Sequence, residues 1–192
     1  MRPSLLFAAL LVASAVGLAS RDAAATLVVP LDLTSLTDGA DRIVMARVEK
    51  QTAKFTADRG MIYTEVVLRV IDPMKGADVK AGDAITVWRE GGELEGQGVR
   101  VIGAPEFTDG EEVLVFLERR GNAQAARMTK ATPLYVMGMA QGKLRVDLRA
   151  GHKVVVRQRA GLSFAAPAAG EPKVEALDDV VGRIRARLTE KR

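Results

Sequence analysis

The chain has no cysteine, a single histidine and few aromatic residues: one Trp, two Tyr and five Phe in 192 residues. Without cysteine, no disulfide can staple the fold, and a lipoprotein anchor, which needs a cysteine just after the leader, is excluded. A zinc site draws three or four ligands mostly from His and Cys. With His152 alone, in the turn Ala150-Gly151-His152-Lys153, one chain cannot assemble such a site in the usual way. Beyond residue 25 only two serines remain, Ser35 and Ser163. Ser163 stands in Gly161-Leu162-Ser163-Phe164, which lacks the second glycine of a nucleophile elbow. No cofactor is expected, and no catalytic constellation is found.

Charge of one sign is also never concentrated. The net charge is +4, but Lys and Arg are interspersed with acids and form no stripe able to track a phosphate backbone. With so few rings to stack on bases, nucleic acid is not an expected partner.

What is present begins with a leader. Arg2 is followed by an uncharged apolar stretch from Leu5 to Leu18, and Ala23-Ala24-Ala25 offers small residues for cleavage; a second cut is possible after Ala19. The apolar stretch is shorter than the ~20 residues of a spanning helix. Residues 1–25 are therefore expected to be a signal peptide, with a mature chain starting near Thr26, no later membrane span, and a periplasmic or secreted location.

The remaining length suits one domain with a real core, and 48% hydrophobic with 27% charged residues argues for a folded chain. Asp32–Ala40 reads as a short helix, with Asp32 or Thr34 as cap, Leu33 and Leu36 facing inward and Gly39 at the exit. The period then shortens. Ile43–Val48 is a buried strand; Ile62–Ile71 alternates, with Ile62, Thr64, Val66, Leu68 and Val70 on one face. Asp72-Pro73 is expected to stop it. Further strands follow at Ala84–Arg89, Val99–Ile102 and Glu112–Leu117, the last apolar on both faces as in a covered central strand. Leu134–Met139 and Lys143–Leu148 read as a hairpin around Ala140-Gln141-Gly142, extended by Val154–Arg157. Residues 165–173 form an Ala/Pro/Gly linker. Residues 174–192 form an amphipathic helix, with Leu177, Val180, Val181, Ile184 and Leu188 on one face and a basic C-terminal half, best read as a solvated helix packed on the barrel. The expected fold is mainly β: a small OB-like barrel or sandwich of six to eight strands over residues 26–164, flanked by a short N-terminal and a C-terminal helix.

Carboxylates are the plentiful chemistry. Glu90, Glu93 and Glu95 share a loop with Gly91, Gly92, Gly96 and Gly98, and Glu106, Asp109, Glu111 and Glu112 surround the next. Paired carboxylates can hydrolyse glycosides and several oxygens can hold calcium, but the spacing fits no calcium loop. The glycines lack the lysine and the strand-to-helix setting of a phosphate loop, which leaves them as turn formers.

The order of LTSLTDGADRIVMARVEK, MIYTEVVLRVIDPMKG, the Gly-Gly loop, VIGAPEFTDGEEVLVFLE and MGMAQGKLRV resembles a family of exported bacterial proteins of uncharacterised function. Its first half also resembles the netrin and tissue-inhibitor-of-metalloprotease module, an OB-type barrel. That resemblance implies docking on an exported protease, with either the N-terminal segment Thr26 to Asp32, led by Thr26 and Leu27, or the loop Glu90 to Gly98 entering its cleft; the inhibitors' N-terminal cysteine is absent here. Three functions are thus expected in descending order: an exported non-catalytic binding or structural module with Glu90, Gly91, Gly92, Glu93 and Glu95 as its partner-binding loop; a protease inhibitor; and a carboxylate-based calcium or carbohydrate binder.

Overall fold

Strand β2 (Arg42–Phe55) and strand β3 (Ile62–Lys75) form a long antiparallel hairpin on which the rest of the molecule is assembled. The computed structural model describes residues 26–120, 133–158, 161–164 and 174–191; the expected leader and the linker at 165–173 lie outside the described residues. Alternation along β3 is as the sequence implies, with Ile62, Thr64, Val66, Leu68 and Val70 buried. Asp72-Pro73, however, does not end the strand. Proline removes a ladder donor, which matters least where the ladder is already broken. Past Val70, whose N–H and carbonyl still bond Asp83 and Gly82, β3 pairs with β2 alone among the described strands, and the pairing there slips between Ile43 and Val44 and again between Met45 and Ala46.

Closure follows from three more strands. β4 (Ala84–Glu90) pairs with β3, β7 (Glu112–Arg119) pairs with β2, and β8 (Leu134–Val136) bridges the two, parallel to β4 and antiparallel to β7. The result is a closed five-stranded barrel, β2-β3-β4-β8-β7, in the OB-like order, and not a sandwich. Its interior is filled by Val44, Val66, Leu68, Val87, Val115 and Leu117.

β7 has a second neighbour on its outer edge. Leu117–Arg119 pair with β8, while Glu112–Val115 pair with β9 (Lys143–Arg149). β8 and β9 therefore lie end to end along β7, joined by the 3-10 turn Met139–Gly142, instead of forming the expected hairpin. The hairpin that does form joins β9 to β10 (His152–Arg157), and β12 (Val174–Ala176) adds to β10, completing an eight-stranded sheet. Val174–Ala176 is thus strand, and the C-terminal helix begins after it.

A second core lies outside the barrel. Helix α1 (Leu33–Gly39), capped by the Asp32 carboxylate accepting from Ser35 N at 2.7 Å, packs beside α2 (Leu177–Glu190) on the outer face of β7 and β9. Leu36, Phe116, Leu144, Val180 and Ile184 meet there with little or no exposure. β7 is apolar on both faces because one faces the barrel and the other the helices. The basic half of α2 is matched by acids: Arg183 with Glu175, Arg185 with Asp72 at 2.7 Å, and Arg187 with Asp38 at 2.7 Å. Among the described residues no helix is long and apolar enough to cross a membrane.

Candidate functional site

The glycine- and glutamate-rich segment after β4 is a small hairpin of its own. β5 (Gly92–Leu94) and β6 (Gln97–Val99) pair around Glu95-Gly96, both at positive φ (52° and 74°), the geometry of a tight two-residue turn. It forms a separate two-stranded sheet beyond the barrel end. Periodicity cannot reveal strands so short and so exposed; all three residues of β6 lie at the surface.

The base of this hairpin is rigid. Gly91 has φ +83°, and a Cβ on it would sit 2.4 Å from the Val99 carbonyl oxygen; on Gly92 it would meet Thr64 Oγ1 at 2.6 Å. Thr64, buried within β3, donates its hydroxyl to the Gly91 carbonyl at 2.7 Å, and Gly91 N donates to Ile62 O at 2.9 Å. The tip is tied to the β2–β3 turn: Arg59 Nη2 lies 2.8 Å from Glu95 Oε2, and its guanidinium sits 4.2 Å over the Phe55 ring. Glu93 is exposed on β5. Val99, Ile102 and Met61, each about 40% exposed, add apolar surface in β6 and the segments beside it.

Next to the hairpin, aromatic rings line up across three strands. Tyr63 and Trp88 pack at 4.6 Å between centroids, Trp88 and Tyr135 are register partners on β4 and β8, and Arg120 lies 5.6 Å over the Tyr135 ring. Arg89, the next residue on β4, projects to the opposite face with Thr64 and Val87, where its Nη2 lies 3.4 Å from Thr64 Oγ1 and its Nε is buried and unpaired among the described residues; burial pulls its pKa below the usual guanidinium value. The gaps between these side chains hold about 40 and 10 Å³. That is room for a water or two at most, so this cluster is packing.

The second carboxylate cluster disperses. Glu106 pairs with Arg100 at 3.2 Å, Asp109 accepts from Gln51 at 3.0 Å, and Glu112 is shared by Arg47 and Lys153 at 2.7 and 2.6 Å. Glu111 accepts from Thr108 N and from the buried Lys143 at 2.6 Å. These carboxylates are thus held one by one, by the loop donors Arg100 and Thr108 and by side chains of β2, β9 and β10, an arrangement that ties down loops and gives a cation no shared cage; among the described residues no three His, Cys, Asp or Glu converge on a metal position. The sequence shows the acids, but apart from Arg100 near Glu106 their cations, Arg47, Lys143 and Lys153, come from distant strands and could not be matched to them beforehand.

The N-terminal candidates are held in place. Thr26 and Leu27 belong to β1 (Thr26–Val28), which pairs in parallel with β11 (Leu162–Phe164). Gln141 then receives Leu31 N at 2.8 Å and donates to Val29 O at 3.2 Å, and Arg157 donates to Leu31 O at 2.9 Å. Ser163 lies within β11, while His152 is exposed at the start of β10. The structure brings neither of them to the hairpin.

No protein-family model, curated protein or solved structure matches the chain.

Proposed function

We propose that the protein is an exported, non-catalytic binding module that engages a protein partner through the β5–β6 hairpin. Export rests on the leader-like residues 1–25, and places the mature chain in the periplasm or outside the cell. The observation that carries the binding reading is the construction of the hairpin: an exposed β6 and an exposed Glu93 on a base where Gly91 admits no side chain. A preformed projecting loop loses little conformational freedom on association, which favours contact surfaces of this kind. The carboxylates of the second cluster, Glu106, Asp109, Glu111 and Glu112, are engaged by cations and other donors, which supports binding over bond-making there.

Protease docking is the narrower form of the same reading. Thr26–Val28 is committed to a parallel ladder with β11, so the hairpin is the better element to enter a cleft.

The test uses the mature chain carrying a photo-crosslinker at position 93, mixed with periplasmic and secreted fractions of its source. A discrete adduct, competed by unlabelled protein and lost in Val99→Asp, is expected. Robust turnover of a general hydrolase substrate that vanishes on changing one carboxylate would overturn the non-catalytic reading. An adduct pattern indifferent to Val99→Asp would remove the hairpin from it.

A further inference from the structure

At the opposite end of the β2–β3 ladder, a cleft of about 430 Å³ opens where the end of β3, the turn after it and the last turns of α1 and α2 meet. This volume falls within the ~300–1,000 Å³ of small-molecule sites. Pro73, Met74, Val79 and Leu188 supply apolar walls; Lys75 and Lys191 line it as cations, against Asp38 as the one anion.

Neither lysine is used up. Lys75 Nζ donates to the carbonyls of Thr37 and Asp38 at 2.9 and 3.1 Å, closing the C-terminal end of α1 with two of its three protons. Lys191 Nζ lies 2.9 Å from Asp38 Oδ2. But Arg187 already grips both oxygens of that carboxylate, Nε to Oδ1 at 3.0 Å and Nη2 to Oδ2 at 2.7 Å. A bidentate guanidinium satisfies the acid without help, so Lys191 is the dispensable member and is free to turn to an incoming anion. The cleft then presents an ammonium pair at one side of an apolar floor.

We infer that this cleft binds a small amphiphilic monocarboxylate, its headgroup between Lys75 and Lys191 and its hydrocarbon body on Pro73, Met74, Val79 and Leu188. The site is separate from the hairpin, and either can fail without the other. A neutral molecule of the same shape lacks the charge-assisted bonds, and a carboxylate without a body lacks the burial.

Octanoate titrated into the isotope-labelled mature chain tests it by amide NMR, with octanol and acetate as controls. Saturable shifts at Met74, Gly76, Ala77 and Leu188 are expected with octanoate, about tenfold weaker binding with either control, and about tenfold weaker octanoate binding in Lys191→Gln. Ala77 lines the cleft from an exposed position, so Ala77→Trp should fold normally and abolish the shifts. Shifts absent at millimolar octanoate, equal for octanol, or unchanged in both Lys191→Gln and Ala77→Trp would overturn the proposal.

Discussion

Lys143 Nζ lies 2.6 Å from Glu111 Oε1, and the lysine side chain has no exposed surface at all. It also donates to the Glu106 carbonyl and sits 4.6 Å over the Phe107 ring. One buried cation thus fastens the loop between β6 and β7 onto the start of β9. Removing one member of a buried pair leaves the other charge uncompensated, at a cost of about 3 kcal/mol. Lys143→Met should lose about that much in chemical denaturation. Lys143→Met with Glu111→Gln should recover a large part of it, because no buried charge is then left. A double variant no more stable than the single one would mean that the loss came from the Glu106 carbonyl or from packing.

The same lysine sets a pH dependence. Burial, the largest influence, lowers its pKa from the usual 10.5 despite the Glu111 partner. The native state therefore releases this proton at lower pH than the unfolded chain does. Between the lowered value and the ordinary one the unfolded state binds more protons, and stability rises with pH. Burial raises Tyr63 and Tyr135, and their contribution falls across the alkaline range. Subtracting the profile of Lys143→Met from that of the wild type should isolate the rising lysine component. A flat difference would show that the ammonium is not desolvated.

How much of this was readable beforehand depends on where each residue's partner lies. The inward row of β3 was legible because alternate residues meet the same barrel interior. The face of α2 was legible because Leu177, Val180 and Ile184 meet one core. The placement of β8 was hidden, since its partners Trp88 and Glu118 belong to strands that the chain reaches only through barrel closure. Glu111 was visible as one of a cluster of acids, but nothing local marked Lys143 as its counter-ion. The 430 Å³ cleft was invisible for the same reason, because Lys75 and Lys191 come to line one cleft only after α2 folds back on α1.

Two glycines of the hairpin should respond differently to alanine. Gly91 combines φ +83° with a Cβ position 2.4 Å from a backbone oxygen, which cannot move away as a side-chain tip can. Gly96, at φ +74°, has nothing within 4 Å. Gly96→Ala should carry only the left-handed backbone penalty, about 1 kcal/mol, and Gly91→Ala about twice that, with displacement of β6. Denaturation midpoints of the two variants check the order. Equal losses would mean that the hairpin base is not held against Thr64 and Val99 as described.

Calcium should leave the protein indifferent. Glu112 is held below the usual carboxylate range by Lys153 and Arg47, and Glu111 by contact is committed to Lys143. A cation would have to displace these partners before finding oxygens. Melting curves in millimolar calcium and in chelator should superimpose; stabilisation by calcium that disappears in Glu112→Gln would restore the carboxylate site.

Helix α2 contains one residue that works against it. Gly182 sits two positions from both Val180 and Ile184, on the face turned away from the core, and an added Cβ would meet nothing within 4 Å. Its φ is an ordinary one, so alanine brings no strain there. In an exposed helix interior, glycine costs about 1 kcal/mol relative to alanine because the unfolded chain gives up more freedom. Gly182→Ala should therefore stabilise the protein by about that amount, raising the melting temperature by roughly 3 °C for a chain of this size. The outcome also reports on the surface itself. If Gly182→Ala instead weakened the native state, a backbone or side chain would have to lie close against this face of α2, and the helix could not be the solvated outer layer over Phe116 and Leu144 that its burial pattern describes.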